Sequence, residues 1–100
     1  MELKIKNEVA PMKAILTTIG KDQVGIIAGV SHFLAEKNIN ISDVSQTIMN
    51  GYFTMMMMVE IQDNKTDFAI LAQQLDELGK QLGVEIKIRR EEIYDAMHQL

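Results

Sequence analysis

Asn50-Gly51, set between two long apolar runs, constrains this chain more than any other pair of residues. The tightest hairpin turn needs positive φ at both central positions, and Asn-Gly meets that need at little steric cost. A two-residue turn there pairs Met49 with Tyr52, Ile48 with Phe53 and Thr47 with Thr54. The strand that follows, Tyr52–Gln62, is apolar at odd and even positions alike. That is the pattern of a strand flanked on both sides, not of an edge. Phe53, Met55, Met57, Val59 and Ile61 would face one way, towards helices, and Met56 and Met58 the other. In the strand before the turn, Ile39 and Ile41 fall on odd positions but Val44, Gln46 and Ile48 on even ones. The switch predicts a β-bulge near Ser42–Asp43.

The remaining elements follow from periodicity and punctuation. Lys13–Ile19 is rich in β-branched residues and reads as a strand closed by Gly20. Asp22 is suited to cap a helix in which Ile26, Ile27, Val30, Phe33 and Leu34 share a face, with His32 opposite in solvent. Asn38 suits the left-handed position that ends it. Gln62–Lys65 is a turn, Thr66 the expected cap of a second helix, and Phe68, Leu71, Leu75, Leu78 and Leu82 its apolar stripe. Gly83 stops that helix, and Val84, Ile86 and Ile88 alternate with Glu85, Lys87 and Arg89 in a half-buried last strand. The order predicts an α+β domain, a ferredoxin-like βαββαβ sandwich: a four-stranded antiparallel sheet with both helices on one face. The domain is expected over residues 13–90, with residues 91–100 forming a short C-terminal helix and residues 1–12 an N-terminal extension. The first eleven residues read either as a short edge strand or frayed arm, or as a leader to a domain opening at Met12.

Composition narrows the chemistry. One hundred residues hold one domain, and the absence of cysteine removes disulfides, thiol nucleophiles and cysteine-based metal sites. Two histidines, His32 and His98, leave little for another metal, so neither metal nor cofactor is expected. A net charge of −4 has the wrong sign for nucleic acid or an anionic membrane. No apolar run approaches the roughly 20 residues of a spanning helix, and the N-terminus lacks the marks of a signal peptide, which predicts a cytoplasmic protein. A phosphate-hydrolysing version of the fold needs an arginine at the first loop, whereas Arg89 and Arg90 lie at the far end of the chain. An RNA-binding version needs further stacking aromatics on the third strand, where Thr54 and Met57 stand instead. Asp22 and Asp43 form no evident acid–base pair, and Ser31, Ser42 and Ser45 have no evident base. The chain is not expected to be an enzyme.

The first loop, Gly20 to Ala28, leads from a strand into a helix N-terminus, where amides and dipole favour an anion. Phosphate-loop spacings are absent, and an amino-acid carboxylate fits at least as well. Equally, Gly25 and Gly29 would serve simply to pack the helix on the sheet. Strand, then Gly20-Lys21-Asp22-x-x-Gly25-Ile26-Ile27-Ala28, then helix, then Asn38-Ile39-Asn40-Ile41 resembles an ACT domain, a small regulatory module of amino-acid metabolism. The resemblance spans about Lys13 to Arg89; Val24 stands where many such domains carry proline. The chain looks like the stand-alone single-ACT proteins of bacteria, and is similar to half of the glycine cleavage system repressor. The resemblance implies a homodimer that binds an effector amino acid between two modules, at Asp22, Gln23, Val24, Gly25 and Ile26 and at Asn38, Asn40 and Ile41. It implies a regulated enzyme or transcription factor as partner; a ligand-free interaction module is the alternative. Met56 and Met58, apolar and on the helix-free face, are the favoured dimer contact, with the first helix and the second-strand edge also candidates. Cover by Ile93 and Met97 of the terminal helix is the other explanation of those methionines.

Overall fold

A computed structural model describes residues 11–21, 23–63 and 65–92. Its elements are β1 (Met12–Lys21), α1 (Ile26–Glu36), β2 (Ile39–Met49), β3 (Tyr52–Ile61), α2 (Phe68–Leu82) and β4 (Val84–Arg90). The sheet order is β2-β3-β1-β4 with every neighbour antiparallel, so the expected βαββαβ sandwich is what forms. Residues 1–10 of the expected N-terminal extension and residues 93–100 of the expected C-terminal helix lie outside the described residues. No helix among the described residues is long and apolar enough to cross a membrane.

The hairpin has the pairing that Asn50-Gly51 dictates: Met49 with Tyr52, Ile48 with Phe53, Thr47 with Thr54. Both turn residues take positive φ, 54° and 79°, as a type I′ turn requires. The register slips between Ile41 and Asp43, which places the bulge at Ser42. Side chains staple it: the Ser42 hydroxyl donates to the Met58 carbonyl at 3.2 Å, and Asp43 Oδ1 accepts the Val44 N–H at 2.9 Å. β3 lies inside the sheet, and Phe53, Met55, Met57, Val59 and Ile61 are each at most 2% exposed. Ala14 and Leu16 of β1, Ile86 and Ile88 of β4, Val30 and Leu34 of α1, and Leu71 and Leu75 of α2 complete the core.

Three expectations shift by a residue or a turn. Gly25, not Asp22, occupies the N-cap of α1, in the left-handed region and with no side-chain cap; Asp22 itself lies outside the described residues. Asp67, not Thr66, caps α2, its Oδ1 accepting the N–H groups of Ala69 at 3.0 Å and Ile70 at 3.2 Å. Both residue types cap well, and the carboxylate is the stronger acceptor. Ile27 is not buried with Ile26, Val30 and Leu34 but 45% exposed, because a stripe of period four turns the adjacent residue to the helix flank.

The covered area is unequal along the sheet. An eleven-residue helix spans roughly 16 Å, whereas an eleven-residue strand spans roughly 36 Å. Beyond the bulge, Val44 and Ile48 share the helix-side face with buried partners on β3, yet are 47% and 53% exposed.

Gly79 marks where α2 presses on β4: a Cβ there would meet the Val84 carbonyl oxygen at 2.6 Å. Gly→Ala in a helix interior ordinarily stabilises by about 1 kcal/mol. Here Gly79→Ala should instead cost about 1–3 kcal/mol in urea unfolding, since backbone must give way. A gain in stability would show that β4 moves off freely.

Candidate functional site

Residues 22–25 join β1 to α1, and the chain reverses there because Gly25 adopts φ 97° and ψ −6°. The Gly25 carbonyl accepts the first intrahelical bond, from the Gly29 N–H at 2.9 Å. The donors without a partner inside the helix are therefore those of Gly25 and of the first turn, Ile26 to Ala28. No acidic side chain occupies that turn. Val24 stands wholly exposed at the tip of the loop, and Ile26 is buried beneath it in the core. The Gln23 carboxamide reaches the α2–β4 turn: a Cβ on Gly83 would lie 2.9 Å from its Nε2.

The other expected residues cluster where α1 gives way to β2. Asn38 takes φ 58°, and its N–H donates to the Ala35 carbonyl at 3.0 Å, which closes the helix. Asn40 follows on β2, exposed, opposite Glu60 of β3, and its Nδ2 donates to Glu60 Oε1 at 3.1 Å. Ile41 is half-buried against the core. Ala35, Asn38, Ile39, Asn40 and Gln62 line a cleft of about 360 Å³, a volume at the small end of ligand sites. A cleft of about 350 Å³ between the helices is lined by Phe33, Gln73, Gln74, Glu77, Leu78 and Gln81, none of them part of the expected set.

One chain does not bring the two groups together. Lys21, at the mouth of the first loop, pairs with Tyr52, while Asn40 pairs with Glu60. Those partners stand eight positions apart on β3, roughly 26 Å at 3.3 Å per residue. The first loop sits at the hairpin end of the sheet, and Asn38–Ile41 at the opposite end.

No three His, Asp or Glu side chains converge on a metal-sized site among the described residues. His32 lies on the solvent face of α1 and pairs with Glu36 at 3.2 Å, an ordinary helix-surface contact. Glu60, the hydrogen-bond partner of Asn40, is not among the residues expected from the sequence. Its place opposite Asn40 was nonetheless encoded, since counting back from the Asn50-Gly51 turn with one residue skipped at Ser42 gives that pair.

The ACT-domain family model matches residues 13–89. The chain belongs to the ACT-domain family. It is 60% identical over 89 residues to a UPF0237 protein of Listeria innocua, an alignment covering 89% of this chain and all of that relative. The ACT domain protein from Streptococcus pneumoniae superposes with a TM-score of 0.77 at 46% identity, covering 84% of this chain and 94% of that one. A putative glycine cleavage system transcriptional repressor gives a TM-score of 0.74 at 15% identity over 83% of this chain and 48% of its own, a likeness of fold alone. The motif around Asp22, Gly25 and Asn40 thus identified an ACT domain correctly.

Gly25 is the position where the site's geometry is most exposed to substitution. Nothing lies within 4 Å of a Cβ built there, so the cost is purely that of φ 97°. Gly25→Ala should lose about 1–2 kcal/mol, read as a fall of about 4–16 °C in Tm for a domain of this size. An unchanged Tm would mean that the loop relaxes to a different turn.

Proposed function

We propose that this ACT domain is a non-catalytic regulatory protein of the cytoplasm that acts as a homodimer and binds a free amino acid between its two copies. The observation that carries the reading is the separation of the two residue groups to opposite ends of the sheet. β2 is an edge strand, and Asp43 is its only charged residue. The opposite edge, β4, alternates Glu85, Lys87 and Arg89, a pattern that discourages pairing with another strand. Antiparallel pairing of two β2 edges about a two-fold axis would set Asn40 of one copy at the hairpin end of the other. That is the end where the partner copy's first loop stands. Such a dimer would contain two equivalent sites, each made of one helix N-terminus and one second-strand start. The helix dipole contributes about 0.3–1 kcal/mol to a carboxylate, and hydrogen bonds from the first-turn amides add to it. Ligand that binds across the contact favours one dimer arrangement, which an enzyme or transcription factor then reads.

The hairpin end favours a second reading. Val24, Ile48, Met49 and Tyr52 are all more than half exposed there, an apolar group suited to a protein partner without any metabolite.

Calorimetry with the twenty amino acids separates the two readings. Binding at micromolar to millimolar affinity is expected, abolished by Gly25→Val and weakened by Asn40→Ala, with both variants folded by circular dichroism. No binding by the wild type would leave the interaction module. For the dimer, Val44→Lys with Ile48→Lys should give monomers in ultracentrifugation through like charge across the axis. If Met56→Lys with Met58→Lys gives monomers instead, the contact lies on the helix-free face.

A further inference from the structure

Asn40 is not presented to a ligand as a freely rotating carboxamide. Its Nδ2 donates to Glu60 Oε1 at 3.1 Å, and the two residues are direct cross-strand partners. A carboxylate only accepts hydrogen bonds. Rotating the Asn40 amide by half a turn would set its oxygen against the Glu60 oxygen, so the nitrogen is held towards β3 and Oδ1 is turned to the outer side. Lys13 faces Glu60 from β1, and no ion pair within 4.0 Å joins the two. The Asn40 hydrogen bond is therefore the contact of Glu60 that the described residues supply. Asn40 lines the 360 Å³ cleft and Glu60 does not.

We infer that Glu60 is the positioning residue of this half-site, fixing Asn40 so that its carbonyl oxygen accepts the ammonium group of a free amino acid. The inference rests on the reading that the start of β2 contributes to a ligand site, and it sets the ligand's polarity. The ammonium goes to the Asn40–Glu60 end, where an outward acceptor and a nearby negative charge both favour it. The carboxylate goes to the first-turn amides. Ligands without an amino group are refused: a 2-oxo acid carries no donor, and it would set an oxygen against Asn40 Oδ1 and leave both unpaired.

The test has a ligand-free arm and a ligand arm. In ¹⁵N–¹H spectra of the wild type, one Asn40 side-chain amide proton should be shifted and protected by the bond to Glu60. Glu60→Leu should return both protons to free carboxamide positions while the Ile39 and Ile61 backbone signals hold. Glu60→Gln, which can still accept from Nδ2, should keep them shifted. Unmoved Asn40 signals in Glu60→Leu would overturn the positioning role whatever the ligand does. In calorimetry with the twenty amino acids, pyruvate and 2-oxoisovalerate, the wild type should bind amino acids and neither oxo acid. Glu60→Leu should weaken that binding about tenfold or more, and Glu60→Gln should restore most of it. Amino-acid binding that leaves the Asn40 signals untouched, or pyruvate binding as well as alanine, would overturn the inference but spare the ligand reading. Failure of every amino acid to bind at millimolar concentration would overturn both.

Discussion

Phe53, Met55, Met57, Val59 and Ile61 occupy alternate positions of one strand and are all but removed from water. Burying each contributes about 1.5–3 kcal/mol relative to exposure, a large share of what holds a domain of this size together. A slip of one residue in either flanking strand would turn an apolar face into solvent. The registers of β1 and β2 on β3 are therefore fixed together, and with them the place of every loop. β1 must end beside Tyr52 and β2 must begin beside Ile61, which sends the first loop and the Asn38–Ile41 segment to opposite ends.

The bulge at Ser42 belongs to the same constraint. Without an extra residue, β2 would present Ile39 and Ile41 to the core and then Asp43, Ser45 and Thr47. With it, Val44, Gln46 and Ile48 take the helix side opposite Met57, Met55 and Phe53. The helices are too short to cover that half of the strand, so apolar side chains remain exposed on an edge that carries one charge. An edge of that kind pairs readily with another strand. The fold thus separates the two candidate half-sites and, on the same strand, leaves the apolar edge that the proposed dimer would use to bring them together.

Much of this was legible in the sequence. The turn at Asn50-Gly51, the parity change at Ser42–Asp43, the two-faced apolarity of Tyr52–Ile61 and the stop at Gly83 are local chemistry, and each has the consequence that chemistry requires. Helix starts were less legible. Thr66 and Asp67 are adjacent and both able to cap, so the choice rests on which backbone turns first into the helix. At α1 the choice of Gly25 depends on the connection from Lys21, held to Tyr52, to Ile26, buried in the core. Propensity near Asp22 carries no information about that distance.

The sequence by itself determined the order of the six strands and helices, the register of the hairpin and the family, because turn chemistry and hydrophobic parity act between residues near one another or paired by a hairpin. Only the tertiary structure decided that Asn38–Ile41 lies far from the first loop, that Ile27 and Ile48 remain exposed, and that Glu60 holds the Asn40 amide. Those facts depend on how far a helix reaches across a sheet and on which side chains a paired strand sets side by side. Distances of that kind arise only when the layers pack.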